Sequence, residues 1–298
     1  MHSVTRAAIV ASALAFLGAV AVPLYVDLAS EAVIERRYPL PVIEEPLAAD
    51  SIKRGAHLAM IAGCSDCHGA NFEGRRESVG PLRLWSSNLR LAAGEMSAGE
   101  FERALRRGLA PDATGLWAMP SEDYMYMSEA DVADLYAYLR AFGKAGRLTP
   151  GPVWNLRARF ALLRGRLVPA VIAARDTVSS LDLGPRYDGG RYLARIACSE
   201  CHGGDLAGSG AVPDLIGIAR YNRQALFDLL RRGWGAQGRR APAMYRLARV
   251  RFHAFADYEI MALFDYLSAR AHAPAAMFAR AKVNEQRRRE LIMLENDD

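Results

Sequence analysis

Two short strings in the sequence share the form C-x-x-C-H, in which paired thiols precede a histidine. They are Cys64-Ser-Asp-Cys67-His68 and Cys198-Ser-Glu-Cys201-His202. Two thiols one helical turn apart can both reach the vinyl groups of a haem, and the histidine that follows then faces the iron. The chain's only 4 cysteines lie in these strings. The sequence therefore predicts two covalently attached c-type haems.

The residue types also assign the roles within each motif. The cysteines would form the thioether bonds to haem c, and the histidines would be the proximal iron ligands. A thioredoxin-like redox pair needs a βαβ context, and a zinc site needs further ligands. The sequence offers neither, and no thiol is left over for a disulfide or a four-thiolate zinc site.

The segments around the two motifs repeat each other. Residues 55–62 (GAHLAMIA) resemble 190–197 (GRYLARIA), with one extra residue, Gly63, in the first copy. Further on, residues 100–108 (EFERALRRG) correspond to 225–233 (ALFDLLRRG). The two motifs are 134 residues apart, which is too long for a solenoid repeat and suits a duplicated small domain.

Each copy closes with apolar residues at positions i, i+3, i+4 and i+7. They are Val132, Leu135, Tyr136 and Leu139 in the first copy, and Ile260, Leu263, Phe264 and Leu267 in the second. This spacing predicts an amphipathic helix with one buried face in each copy. Ser128-Glu-Ala-Asp131 predicts the start of the first of these helices, because Ser with an acid three residues later forms a capping box.

A methionine is the expected second axial ligand in each copy. Met119 and Met244 both follow the R-R-G string by 11 residues and precede the closing helix. Met125 and Met127 are the alternatives in the first copy, and His253 is the alternative in the second. A thioether ligand raises the potential relative to bis-histidine ligation, which indicates electron acceptance at moderately high potential.

This order of features resembles the class I cytochrome c domain, used twice as in bacterial dihaem cytochromes. Strings such as Ser87-Asn88-Leu89 are similar to those of cytochrome subunits of membrane-associated alcohol and gluconate dehydrogenases. The resemblance covers residues 50–143 and 186–270, and it implies an all-α fold of two tandem cytochrome c domains. It also implies that each proximal histidine donates a hydrogen bond to a proline carbonyl, with Pro81 and Pro213 in the corresponding places.

The predicted layout has five segments. They are a signal anchor or signal peptide (1–30), the first cytochrome c domain (50–143), a linker (144–185), the second cytochrome c domain (186–270) and a charged helical tail (271–298). Within the linker, apolar residues and arginines between 154 and 174 predict amphipathic helix on either side of Pro169. We expect this segment to pack on the molecule, with a lipid surface or a partner subunit as the alternative.

An uncharged apolar stretch of 20 residues runs from Ala7 to Val26. As a helix it would be about 30 Å long, which matches the hydrocarbon thickness of a membrane. The sequence therefore predicts an N-terminal membrane helix that holds the haem domains on the periplasmic side of the inner membrane. The alternative is a cleavable signal peptide with its site near Ala19-Val20-Ala21, which would leave a soluble periplasmic protein.

The formal net charge of +5 is spread along the chain, without a basic run interleaved with aromatics, so nucleic acid is not an expected partner. We expect electron transfer rather than catalysis, with a dehydrogenase subunit, an oxidase or a small cytochrome as redox partner. A dihaem cytochrome c peroxidase is one alternative, but no histidine lies between His68 and His202 to act as a switching ligand. A dihaem subunit of a terminal oxidase is the other.

Overall fold

The fold consists mainly of α-helices. The structure, a computed structural model, describes residues 2–41, 51–176, 179–236 and 238–279. In these ranges the α-helices are α1 His2–Ile34, α2 Ile52–Ile61, α3 Cys64–His68, α4 Leu89–Glu95, α5 Ala98–Arg107, α6 Ser121–Tyr124, α7 Glu129–Ala141, α8 Leu156–Leu163, α9 Ala170–Asp176, α10 Asp188–His202, α11 Arg223–Arg232, α12 Pro242–Val250 and α13 Asp257–Ala271. Short 3₁₀ helices cover Pro185–Tyr187, Leu215–Arg220 and Phe252–Ala254. The predicted all-α class is confirmed.

The helix that leads into each motif packs against the closing helix of the same copy: α2 against α7, and α10, whose last turn is the second motif, against α13. A glycine makes each approach possible. A Cβ added to Gly55 would lie 2.0 Å from the carbonyl oxygen of Asp134, and one added to Gly190 would lie 2.1 Å from that of Ala262. No side chain fits at such distances, so the glycine that opens each repeated string is required by helix packing.

The closing helices bury the faces that their spacing predicts. The fully buried positions are Val132, Leu135 and Leu139 in α7, and Ile260, Leu263 and Leu267 in α13. Burial of each such side chain stabilises the fold by about 1.5–3 kcal/mol. Tyr136 and Phe264, at position i+4, are only partly buried. The side chain of Ser128 accepts a hydrogen bond from the Asp131 amide, so the predicted start of α7 is confirmed.

One difference between the copies is a β-hairpin. Strands β1 (Arg76–Val79) and β2 (Leu82–Trp85) pair antiparallel between the first motif and α4. In the second copy the same place holds a short turn closed by Ser209 and Val212. The first copy therefore has a longer connection after its motif.

The linker contains the two predicted helices, α8 and α9, on either side of Pro169. Helix α8 packs on α1 and shares a small apolar cluster with Leu82 and Leu84 of β2. Helix α9 packs on α5 and α6. The guanidinium of Arg159 in α8 lies 3.1 Å from Asp27 and 2.6 Å from Glu31, both on α1. The linker thus contacts both the first copy and the C-terminal part of α1.

Helix α1 contains the predicted apolar stretch and extends past it to Ile34. Within the described residues, its segment Phe16–Ile34 is long and apolar enough to cross a membrane, and 11% of that segment is buried in the fold. At the other end of the chain, residues 275–279 are helical. The rest of the predicted charged tail, residues 280–298, lies outside the described residues.

Candidate haem-binding sites

The first motif lines an apolar cavity. Gly63 takes a left-handed backbone conformation (φ +76°), and α3 starts directly after it. The cavity has a volume of about 330 Å³, and the predicted residues that line it are Cys64, Cys67, His68 and Met119. Apolar side chains of α4, α5 and α7 form much of its remaining wall. The structure thus brings together all the predicted thioether and iron-ligand residues of the first copy.

The ring of His68 is oriented by a backbone carbonyl. Its Nδ1 lies 2.8 Å from the carbonyl oxygen of Ser87, which leaves Nε2 as the nitrogen that can bind iron. Burial lowers the pKa of His68, which favours the neutral ring that a metal ligand requires. The prediction that Pro81 supplies this carbonyl is wrong. Pro81 lies in the turn between β1 and β2, and the chain returns to the side of His68 only at Ser87, after the hairpin.

The second motif forms the last turn of α10. The Nδ1 atom of His202 lies 2.8 Å from the carbonyl oxygen of Pro213, so the prediction for Pro213 is confirmed. Burial lowers the pKa of His202 as well. In both copies burial therefore favours the neutral ring, and the motif histidine is oriented through the same ring nitrogen.

The two carbonyls come from equivalent loops. The strings are Ser87-Asn88-Leu89 and Pro213-Asp214-Leu215. The Leu89 amide donates to the Phe72 carbonyl at 2.8 Å, and the Leu215 amide donates to the Leu206 carbonyl at 3.0 Å. Asn88 and Asp214 each cap the helix that follows. Aligning these two strings, instead of searching for the nearest proline, would have identified Ser87 from the sequence.

The two expected distal methionines follow equivalent turns. The carbonyl of Gly108 accepts from the Leu116 amide at 2.8 Å, and the carbonyl of Gly233 accepts from the Ala241 amide at 3.0 Å. Met119 and Met244 come three residues after these amides, and both pack against the central core. Met119 precedes α6, whereas Met244 lies in the first turn of α12.

Two of the three alternative ligands, Met127 and His253, have other environments. Met127 is 1% exposed and belongs to the apolar core. His253 has an exposed side chain, and its carbonyl accepts a hydrogen bond from Arg231. Met119 and Met244 remain the predicted sixth ligands.

The thiol environments fit thioether attachment. Burial raises the pKa values of Cys64 and Cys198 to about 12, so neither thiol ionises near neutral pH. A zinc site would need the thiolates, while an uncharged thioether suits an apolar wall. Across the described part of the chain, no three His, Cys, Asp or Glu side chains gather as they would around a metal ion. The residues present therefore fit haem c better than zinc.

The two copies face each other through paired contacts that the sequence did not indicate. His57 Nε2 lies 2.8 Å from Glu259 Oε1, and the Tyr192 hydroxyl lies 2.5 Å from Asp131 Oδ2. In the repeat alignment His57 corresponds to Tyr192, and Glu259 corresponds to Asp131. Each copy thus places the same helix position against the same closing-helix position of the other. Glu200, from the second motif, lines the first cavity, so the two motifs are neighbours.

Comparisons with known proteins agree with this geometry. Residues 52–142 match the cytochrome c family model. The fructose dehydrogenase cytochrome subunit of Gluconobacter japonicus is 29% identical, over 73% of this chain and 52% of the relative. The gluconate 2-dehydrogenase cytochrome c subunit of Pantoea cypripedii is 30% identical, over 51% of this chain and 37% of the relative. The cytochrome c subunit of alcohol dehydrogenase (quinone) from Gluconobacter oxydans (strain 621H) is 29% identical, over 51% and 34%.

Residues 52–142 are thus a cytochrome c domain, and the cofactor of such a domain is covalently bound haem c. As a whole the chain is similar to cytochrome subunits of sugar, sugar-acid and alcohol dehydrogenases. It spans about half the length of the first of these relatives, and about a third of the other two.

Proposed function

We propose that this chain transfers electrons through two covalently bound haems, one in each copy. The observation that carries the proposal is the matched pair of histidine contacts. In both copies Nδ1 of the motif histidine lies 2.8 Å from the carbonyl of an equivalent loop residue. Such a hydrogen bond fixes the ring and leaves Nε2 for iron, so both copies are built for the same ligation.

The chain's own residues bind and orient each haem. Thioethers from Cys64 and Cys67, and from Cys198 and Cys201, would attach the two groups. His68 with Met119, and His202 with Met244, would cap the two irons. A bound haem supplies one-electron redox chemistry at its iron. Two capped irons leave no open position for substrate, which suits transfer between proteins rather than catalysis.

The relatives' names support a dehydrogenase as the electron donor, because all three are cytochrome subunits of dehydrogenases. Helix α1 supports a position at the periplasmic face of the inner membrane. The contacts of Arg159 with Asp27 and Glu31 support a short, fixed distance between the membrane and the first copy. Anchoring of this kind raises the effective concentration of the haems near membrane-bound donors and acceptors.

The haem count is the first test. Protein made in cells with c-type maturation should retain two haems by intact mass and pyridine haemochrome assay. The double variants Cys64→Ser/Cys67→Ser and Cys198→Ser/Cys201→Ser should each retain one. A wild-type protein with a single haem, or variants that both lose the same haem, would contradict the proposal.

Turnover and location are tested separately. Steady-state assays with hydrogen peroxide and a reduced small cytochrome should give background rates, and a saturable rate after prereduction would favour a peroxidase instead.

N-terminal sequencing of protein from washed membranes should find α1 intact. A mature start near Val22, with the haem protein in the soluble periplasm, would show that the segment is an export signal. Co-purification from mild detergent should bring down a dehydrogenase subunit.

A further inference from the structure

A buried arginine lies between the two haem-binding motifs. Arg251 directly follows α12, and its side chain is 3% exposed. Its Nε donates a hydrogen bond to the carbonyl of Ile61 in the first copy at 2.6 Å. Its Nη2 donates to the carbonyl of Ile196 in the second copy at 3.4 Å. In the repeat alignment Ile61 and Ile196 are the same residue, so one guanidinium binds equivalent carbonyls of both copies.

The same guanidinium also faces a carboxylate from each motif. Its Nη1 lies 3.2 Å from Glu200 Oε2 and 4.0 Å from Asp66 Oδ2. Asp66 and Glu200 each stand immediately before the second cysteine of their own C-x-x-C-H string. Two equivalent carboxylates from two different motifs thus face the same guanidinium. A buried charge in this setting needs such partners, because a buried charge left unpaired strongly destabilises a fold.

The one-residue difference between the repeated strings lies at the same place. A Cβ added to Gly63 would lie 2.6 Å from Arg251 Nη1. Gly63 also has φ +76°, a conformation that other residues adopt only with strain. The extra glycine of the first copy therefore gives the guanidinium room beside the motif.

We propose that Arg251 is a positioning residue for electron transfer between the two motifs: it holds them face to face and places a positive charge beside both haem sites. This inference rests on the proposed function of two haems. Transfer between them oxidises one iron from ferrous to ferric and reduces the other from ferric to ferrous, so no further reactant is needed. A cation near an iron stabilises its reduced form, and therefore raises its midpoint potential.

The test compares three variants of the full-length, haem-loaded protein. Arg251→Met removes the charge and the hydrogen bonds, while Arg251→Lys keeps the charge and loses the planar fork. Arg249→Met is the matched control, since Arg249 has an exposed side chain two residues earlier in α12. The measurements are haem content, the two midpoint potentials by spectroelectrochemical titration, and the distance between the ferric haems by pulsed EPR.

We expect Arg251→Met to lower both midpoint potentials, because Asp66 and Glu200 then face the haem sites without their cation. It should also lengthen and broaden the distance distribution between the haems. Arg251→Lys should shift the potentials less but still broaden the distances. Arg249→Met should change neither measurement. A smaller potential shift in Arg251→Lys than in Arg251→Met is the readout that a purely structural role for Arg251 does not predict, because only the lysine keeps the charge.

The outcomes separate this inference from the proposed function. Fewer than two haems in the wild-type protein would overturn both. Two haems in the wild type, with unchanged potentials and distances in Arg251→Met, would overturn only the role of Arg251. Where Arg251→Met fails to mature with both haems, Arg251→Lys decides: a broadened distance distribution supports the role, and a wild-type distribution overturns it.

Discussion

The two copies share the geometry around their motif histidines, but they carry opposite charges at one pair of equivalent positions where they meet. Within each copy, the same glycine lets two helices approach, and an equivalent loop carbonyl orients the motif histidine. Asp123 lies nine residues before Val132, and Arg251 lies nine residues before Ile260. The two residues therefore hold equivalent positions at the surface that the copies share. Both are buried, yet one is a carboxylic acid and the other a guanidinium. The duplication therefore repeats the haem-binding residues, while the two copies contribute opposite charge types at equivalent positions of their interface.

The surroundings of the two motif histidines also differ. His68 is buried and His202 is only half-buried. The hairpin β1–β2 belongs to the first copy, and residues of both strands line the first cavity. Solvent exposure is one of the factors that set a haem potential. We expect two distinct midpoint potentials from two sites with the same ligand types.

The largest expected effect comes from removing a distal ligand in either copy. Met119→Ala and Met244→Ala should each remove about half of the methionine-to-ferric-iron charge-transfer absorbance and lower one midpoint potential, because a thioether favours the ferrous state. Visible spectra and potentiometric titration check this. Met127→Leu, in the apolar core of the first copy, is the control and should keep the full band. A full band in Met119→Ala would assign the ligand role to another residue.

The next effect tests whether the two helix crossings are equivalent. Gly55→Ala and Gly190→Ala should each destabilise the protein by about 2–3 kcal/mol, because the new methyl group overlaps a backbone carbonyl of the facing helix. Urea denaturation followed by far-UV circular dichroism measures this loss. Gly189→Ala is the matched control, because its Cβ would meet no atom within 4 Å. A large loss in only one of the two variants would show that the crossings differ.

Contacts within one copy could be predicted from the sequence, whereas contacts between the copies could not. Local spacing predicted the helix faces, and the family resemblance predicted the pairing of His202 with Pro213, because such contacts lie within one copy. The resemblance failed at Pro81, since the inserted hairpin moved the accepting carbonyl to Ser87. No sequence pattern predicted the contacts of Arg251. Its partners belong to both copies, and a repeat pattern does not state how two domains pack against each other.

The two equivalent interface positions should differ in how they affect stability: the buried carboxyl of Asp123 should make the free energy of unfolding depend on pH. Burial raises the pKa of Asp123 to about 7, well above the value of about 3.9 in an unfolded chain. Folding then takes up a proton between these two values, so the free energy of unfolding falls as the pH rises from about 4 to 7. Above pH 7 the full cost remains, because the ionised carboxyl stays buried.

Asp123→Asn removes this cost. The variant should be about 1–3 kcal/mol more stable than the wild type at pH 8, and close to the wild type at about pH 3, where the acid is mostly protonated in both the folded and the unfolded state. Urea denaturation at the two pH values measures the difference. Glu129→Gln, an exposed position at the start of α7, should show no such pH-dependent gain. Equal gains at both pH values would mean that Asp123 titrates normally in the fold.

The smallest expected effect concerns the paired contacts between the copies. His57→Phe removes the contact with Glu259, and Tyr192→Phe removes the contact with Asp131. Each should cost about 1 kcal/mol, the net value of one partly buried hydrogen bond. Asp131 keeps a salt bridge to Arg54 at 3.4 Å, and Glu259 keeps the Ala256 amide, so neither carboxylate is left bare.

Double-mutant cycles with Glu259→Gln and Asp131→Asn isolate the two pairwise energies. Since the two contacts join equivalent helix positions, we expect coupling energies of the same sign and similar size. His272→Gln is the control, because His272 bonds the Ser268 carbonyl within its own copy. A coupling energy near zero in one cycle and about 1 kcal/mol in the other would show that the copies meet through only one of these contacts. Their interface would then be asymmetric in packing as well as in charge.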